Sequence, residues 1–138
     1  MEESDGQAIS MSSGRRSLNI LIVEDEAAAR VATSCYLQYC GHRVAAAGNA
    51  REAIRMAREL RPDVLICDWK LDGRRDGVDV ARLLQHEQDV DVIFVTAYAL
   101  NELRKTAPDL RTVNCLRKPI SLGTLAAAVE SVATQKTH

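Results

Sequence analysis

The sequence predicts an α/β fold in which one doubly wound parallel sheet of five strands carries helices on both faces. Short runs rich in Val, Ile and Leu alternate with longer stretches of helical periodicity. The short runs are almost continuously apolar, which is typical of strands that are buried on both faces. The expected strand order is 2-1-3-4-5, with every strand ending at the same edge of the sheet.

Each predicted strand is a short apolar run. The five are Asn19–Val23, Arg43–Ala46, Val64–Cys67, Val92–Val95 and Asn114–Leu116.

The first two helices have clear end signals. The first is predicted at Ala27–Tyr39, an Ala-rich stretch that stops before Gly41. Asn49–Leu60 is the second, because Asn49 followed by Glu52 forms a capping-box pattern and Pro62 prevents continuation.

The later helices differ in the strength of their patterns. We expect the third at Val78–Gln88 and the last to begin after the cap residue Ser121. Pro108 interrupts the stretch Ala99–Val113, so a short or irregular helix is expected there. The last helix has one apolar face, made of Leu122, Leu125, Ala126, Val129 and Val132.

Composition narrows the classes of function. The 138 residues suffice for one domain, expected at residues 18–135 after a flexible tail at 1–17. A net charge of -1 predicts no general attraction to nucleic acid or to membranes. The chain has no apolar run of membrane-spanning length and no secretory signal, which favours the cytoplasm.

The four cysteines do not form a recognisable metal or disulfide pattern. Cys35, Cys40, Cys67 and Cys115 match no zinc spacing, and most fall within apolar runs. We therefore expect small buried side chains in a reducing compartment.

Chemistry is concentrated where the predicted strands end. Glu24 and Asp25 follow the first strand, Asp68 follows the third, Thr96 ends the fourth, and Lys118 follows the fifth. Taken singly, these residues have ordinary alternatives: a helix cap, a loop carboxylate, a β-branched strand residue and a surface amine. The second strand, at the sheet edge, ends without such a residue. This coincidence favours one site near the ends of the first and third strands, where the strand order reverses.

Three carboxylates at one site would repel one another unless a cation offset their charge. Oxygen ligands favour a hard divalent ion, and Mg²⁺ suits a site that keeps waters and binds phosphate. Glu24, Asp25 and Asp68 therefore predict a magnesium site. Lys118 adds a positive charge, and Thr96 adds a hydrogen-bond donor.

The segments "ILIVEDE", "DVLICDWKL", "VIFVTAY" and "LRKPI" resemble the receiver domain of two-component response regulators, the CheY-like family, over about Leu18 to Ala133. The resemblance implies a flavodoxin-like (βα)5 fold. It implies that Asp68 is phosphorylated from a histidine kinase or phosphotransfer protein, and that Thr96 and Lys118 hold the phosphoryl oxygens. For Mg²⁺, it implies direct ligation by Asp25 and Asp68, a water-mediated contact from Glu24, and the backbone carbonyl of Lys70.

The chain departs from the usual family pattern at several positions. Lys70 and Asp72 stand where other residue types are common, and the loop "DGRRDG" is one residue longer than usual. Cys115 replaces the switch aromatic of the fifth strand, while Tyr98 follows Thr96 by two residues. This pattern resembles the subset of receivers with Thr-Gly/Ala-aromatic after strand four. Thr96 and Tyr98 are therefore the predicted switch residues. The resemblance also implies that the Lys118–Pro119 bond is cis, although only about one X-Pro bond in twenty is cis.

Several alternatives compete with this interpretation. A flavodoxin would need a phosphate-binding loop where "EDEAA" stands, and a haloacid-dehalogenase-type phosphatase would need Asp at Lys70. A pseudo-receiver that only binds partners, or a receiver excised from a larger hybrid kinase, stays open. We expect a signalling phospho-acceptor rather than an enzyme. Its output would be contact with a downstream protein, or phosphorelay, without nucleic acid or membrane; weak homodimerisation is left open.

Overall fold

The computed structural model describes residues 17–69, 71, 76–97, 101–102, 105 and 107–136. Five strands form one sheet in the order β2-β1-β3-β4-β5, and every neighbouring pair is parallel. The predicted fold class and strand order are confirmed. The strands are β1 (Asn19–Val23), β2 (Arg43–Ala47), β3 (Val64–Cys67), β4 (Asp91–Thr96) and β5 (Thr112–Arg117).

Four helices have complete bounds within the described residues: α1 (Ala27–Tyr39), α2 (Ala50–Leu60), α3 (Gly77–Glu87) and α4 (Leu122–Lys136). Asn101, Glu102 and Lys105 are also helical, within the stretch for which an irregular helix was expected. The fifth strand, predicted at Asn114–Leu116, begins two residues earlier, because β5 already starts at Thr112.

The helices cover the sheet in two layers. One buried cluster joins α2 and α3 to residues such as Leu21, Val23 and Phe94. The other joins α1 and α4 to Ile20, Ile22 and their neighbours. Because successive strand residues point to opposite faces, β1 contributes alternately to both clusters. This arrangement explains why the strands are apolar without alternation.

The helix caps follow the sequence signals with two differences. Asn49 caps α2 by accepting from the N–H of Glu52 at 2.9 Å, but the Glu52 carboxylate accepts from Gly48 N–H rather than from Asn49. The cap of α1 is Glu26, which accepts from Ala29 N–H at 3.2 Å. Asp25 is therefore not the helix cap that was considered as its ordinary alternative.

The expectation of four buried cysteines was wrong for two of them. Cys67 is buried in β3 and Cys115 is half-buried, but Cys35 and Cys40 are exposed. Cys35 lies on the outward side of α1 and Cys40 is the residue that ends this helix. The Ala-rich pattern around them indicated a helix but not which of its sides faces the sheet. Within the described ranges, no helix is long and apolar enough to cross a membrane.

Candidate functional site

A cleft of about 710 Å³ opens at the C-terminal edge of the sheet. Four of the residues predicted to form the site line it: Glu24, Asp25, Asp68 and Lys118. The parallel strands explain their meeting, because β1 and β3 are neighbours and β5 lies one strand beyond β4. The ends of β1, β3 and β4, the segment after β5, and residues of α1 and α4 form the rest of its walls.

Lys118 and Asp68 are in direct contact. Lys118 Nζ donates a hydrogen bond to Asp68 Oδ2 at 2.6 Å, and their side chains are 37% and 15% exposed. Partial burial opposes charge on the amine. The hydrogen bond to Asp68 and the negative charges of Asp68, Glu24 and Asp25 outweigh that effect, so the pKa of Lys118 is raised. The amine therefore stays charged beside the Asp68 carboxylate.

Glu24 is half-buried, and both its backbone N–H and its backbone carbonyl are hydrogen-bonded. Its N–H donates to Ala47 O at 3.0 Å, and its carbonyl accepts from Arg30 Nη1 at 2.8 Å. Burial raises the pKa of the Glu24 carboxyl, and proximity to Asp25 adds to this; a hydrogen bond from Glu26 N–H and the charge of Lys118 act in the opposite direction. The ionised form of the Glu24 carboxyl is therefore disfavoured unless a cation is present.

Thr96 takes a different place from the other site residues. It ends β4 as predicted, and its carbonyl accepts from Lys118 N–H at 2.8 Å. However, its side chain is fully buried, and Thr96 is absent from the residues that line the cleft. The structure thus places the threonine beside the site but does not bring its hydroxyl into the open cleft.

The acids fit a small hard cation through their donor chemistry. Glu24, Asp25 and Asp68 offer only carboxylate oxygens, and one amine, Lys118, faces them. In the described part of the chain, no group of three or more His, Cys, Asp or Glu side chains is arranged to hold a metal by itself. Mg²⁺ needs no such group, because it binds through one or two carboxylates and keeps several waters.

Some predicted features lie outside the described residues. They are Lys70 with its carbonyl, Asp72 and the switch aromatic Tyr98. The Lys118–Pro119 peptide is described, and it is cis as predicted.

Sequence reasoning missed Arg30. Its guanidinium supports the carbonyl of Glu24 and lies against Gly48, where a Cβ would come within 3.0 Å of Nη1. An Arg on a helix facing solvent would look the same in sequence. Only the direction of the side chain reveals its contact with the acidic turn.

Beside the cleft, α1 presents an outward surface without charge. Arg30 is the only charged residue of this helix, and it is turned toward Glu24. Val31 is 60% exposed and Tyr39 is 87% exposed. Ala32 belongs both to this surface and to the wall of the cleft. The uncharged surface is therefore continuous with the site.

Comparisons with known proteins agree with this geometry. The family model described as response regulator receiver domain matches residues 20–130. The chain is 33% identical over 112 residues to the transcriptional regulatory protein PdtaR of Mycobacterium tuberculosis H37Rv, covering 80% of this chain and 54% of that protein. It is 36% identical over 117 residues to the positive alginate biosynthesis regulatory protein of Pseudomonas aeruginosa, covering 82% and 46%. The chain thus spans about half the length of these curated relatives.

Solved structures show the same likeness. The signal receiver domain of a modulated diguanylate cyclase from Desulfovibrio desulfuricans G20 is 32% identical, with a TM-score of 0.76 over 88% of this chain and 97% of that one. A response regulator receiver domain protein from Clostridium thermocellum is 25% identical, with a TM-score of 0.77 over 86% and 95%.

Proposed function

The chain belongs to the response regulator receiver domain family, and on that premise we propose that Asp68 accepts a phosphoryl group from a histidine kinase or a phosphotransfer protein. Receiver domains of two-component systems are signalling phospho-acceptors rather than classical enzymes. The observation that carries the proposal is the contact of Asp68 with Lys118 at 2.6 Å, in the cleft that Glu24 and Asp25 also line.

In the proposed step, a carboxylate oxygen of Asp68 attacks the phosphorus of a phosphohistidine. A phosphorus–oxygen bond forms while the phosphorus–nitrogen bond breaks, and the leaving imidazole keeps the electron pair. Lys118 neutralises charge on the transferred group because its amine already lies beside Asp68. Thr96 donates a hydrogen bond to the group, which requires its buried hydroxyl to turn toward the cleft.

Receiver domains generally bind Mg²⁺ at the phosphorylation site. Here we assign Asp25 and Asp68 as direct ligands, Glu24 as a ligand through water, and the Lys70 carbonyl as a further ligand. When bound, the ion supplies positive charge that lets an anionic phosphoryl group approach the carboxylates. The pKa of Glu24 is raised first by burial and to a smaller extent by Asp25, so a bound cation would lower the cost of ionising this carboxyl, which supports the assignment.

The uncharged outward surface of α1 is the proposed contact for the phosphodonor. Val31 is exposed on this helix, and Ala29, Ala32 and Thr33 line the cleft next to Asp68. A partner that delivers its histidine to Asp68 must cover this edge of the domain. Apolar side chains there would be shielded from water by that contact.

The output remains a proposal because the chain spans about half of its curated relatives. We propose that it signals by contact with a downstream protein or by relay of the phosphoryl group, in the cytoplasm. The absence of a nucleic-acid partner stays a prediction, since the relative from Mycobacterium tuberculosis is named a transcriptional regulatory protein. A pseudo-receiver is less favoured because Asp25, Asp68 and Lys118 are all present at the cleft.

Transfer from a protein donor tests this function. A purified histidine kinase or phosphotransfer protein, labelled with radioactive phosphate on its histidine, should pass the label to the wild-type chain and not to Asp68→Asn. Two results together would favour the pseudo-receiver. The label would stay on every histidine donor tried, and a small phosphodonor would also leave Asp68 unmodified.

A further inference from the structure

Gly77, the first residue of α3, packs against the backbone of Asp68, the proposed phospho-acceptor. A Cβ atom added at Gly77 would overlap the carbonyl oxygen of Asp68 and would lie 2.8 Å from Cys67 Sγ. The overlapping atom belongs to the backbone, so a rotamer change cannot relieve the contact. Gly77 does not have a positive φ. The requirement for glycine here is therefore one of space.

Hydrogen bonds connect the same two elements. Gly77 N–H donates to Trp69 O at 2.6 Å, and the buried thiol of Cys67 donates to Asp68 O at 3.1 Å. The start of α3 is itself fixed by a reciprocal cap between Asp76 and Asp79. The end of β3 and the start of α3 thus form one packed unit around the Asp68 peptide.

We propose that Gly77 and Cys67 are positioning residues, which set the place of the Asp68 carboxylate by holding its peptide against α3. Gly77 does not line the cleft, and Cys67, which does line it, acts through its hydrogen bond to the Asp68 carbonyl. The inference rests on the proposed function of Asp68 for its kinetic consequence. Its structural consequence, a change in the distance between Asp68 and Lys118 when Gly77 is replaced, can be tested without phosphorylation.

The expected effect is large because group transfer is sensitive to small displacements. A side chain at residue 77 must push α3 away or move the Asp68 peptide by a fraction of an ångström or more. Misplacement of a reacting group by about 1 Å can cost about 100-fold in rate. A smaller effect is expected from Cys67, because removing its thiol takes away one weak hydrogen bond and adds no overlap.

The first experiment compares two glycines in first turns of helices. Gly77→Ala is matched by Gly123→Ala, whose new Cβ would meet only Ser121 Oγ, at 3.8 Å. Crystal structures without phosphodonor should show a Lys118 Nζ–Asp68 Oδ2 distance longer than 2.6 Å in Gly77→Ala and an unchanged distance in Gly123→Ala. With acetyl phosphate, the limiting rate of labelling per folded molecule should fall about tenfold or more only in Gly77→Ala.

The second experiment uses variants that add no bulk. Cys67→Ala should lower the limiting labelling rate about twofold to tenfold, and Cys67→Ser, which keeps a donor, should restore most of it. Concentrations of acetyl phosphate at half-maximal rate should stay the same, since donor contacts are not touched. If Gly77→Ala does not fold, this pair decides the matter.

The outcomes separate the two proposals. A wild-type distance together with a wild-type limiting rate in Gly77→Ala overturns the positioning role. So do equal rates in Cys67→Ala, Cys67→Ser and the wild type when Gly77→Ala does not fold. If the wild-type protein takes no label at all, the phospho-acceptor function fails instead, and the crystallographic distance in Gly77→Ala alone decides whether Gly77 positions Asp68.

Discussion

Lys118 Nζ lies 2.6 Å from Asp68 Oδ2, although the strands that precede these residues, β5 and β3, are separated by β4. The lysine is 37% exposed, and an ion pair near solvent contributes only about 0–1 kcal/mol to folding. The pair is therefore better explained by chemistry than by stability. It places a permanent positive charge where a phosphoryl group on Asp68 would develop negative charge.

Metal binding should depend more on Asp25 than on Glu24. Asp25→Asn removes a proposed direct ligand, whereas Glu24→Gln changes a contact made through water, so Asp25→Asn should weaken Mg²⁺ binding more. Trp69 directly follows Asp68 in the chain, and its fluorescence during Mg²⁺ titration is the measurement. A titration curve for Asp25→Asn that superimposes on the wild type would place the metal elsewhere.

The contribution of Glu24 to the stability of the metal-free protein should fall as pH rises past the ordinary range of a carboxyl. Burial raises the pKa of Glu24 above 4.5, so the folded state keeps this proton to a higher pH than the unfolded chain. Stability from this group is present below 4.5 and is lost as pH rises through the folded pKa. Glu24→Gln should therefore be more stable than the wild type at neutral pH, and the gap should close on acidification.

Urea unfolding in a chelator-containing buffer across this pH range measures the effect. Glu59→Gln, which removes an exposed carboxylate on α2, is the control and should follow the wild type. A Glu24→Gln protein that is less stable than the wild type at pH 7 would contradict the assigned cost of charge at this position.

The sheet was predictable because buried parallel strands leave a simple apolar pattern in the sequence. The site followed from topology, since parallel strands bring residues such as Asp25, Asp68 and Lys118 to one edge. Side-chain direction was not predictable in the same way. Nothing in the sequence separates Arg30 supporting Glu24 from an ordinary surface arginine.

Close packing was also hidden from the sequence. Gly77 reads as a turn glycine before a helix, and only the fold reveals that a methyl group there would overlap the Asp68 carbonyl. The exposure of Cys35 was missed for a related reason, because α1 lacks a strong apolar face that would show which of its sides is buried.

Switching is expected to involve Tyr98, which lies outside the described residues. Cys115 is half-buried against the cluster that includes α2 and α3 and is too small to replace a switch aromatic. Tyr98→Ala should weaken the response to phosphorylation and speed dephosphorylation, because a ring close to Asp68 would shield the acyl phosphate from water. Cys115→Ala should cost only about 1 kcal/mol of packing.

Amide NMR spectra with and without a phosphoryl mimic compare these two variants with the wild type. The expected result is a reduced set of shift changes in Tyr98→Ala and a nearly complete set in Cys115→Ala. A full response in Tyr98→Ala would remove Tyr98 from the switch.

The central claim is that Asp68 is the phospho-acceptor, and intact-mass spectrometry after incubation with acetyl phosphate and Mg²⁺ tests it most directly. Asp68→Asn is the matched variant, since it keeps the size of the side chain and removes the nucleophilic carboxylate. We predict a gain of one phosphoryl group in the wild type and none in Asp68→Asn. Equal labelling of the two proteins would contradict the assignment of Asp68.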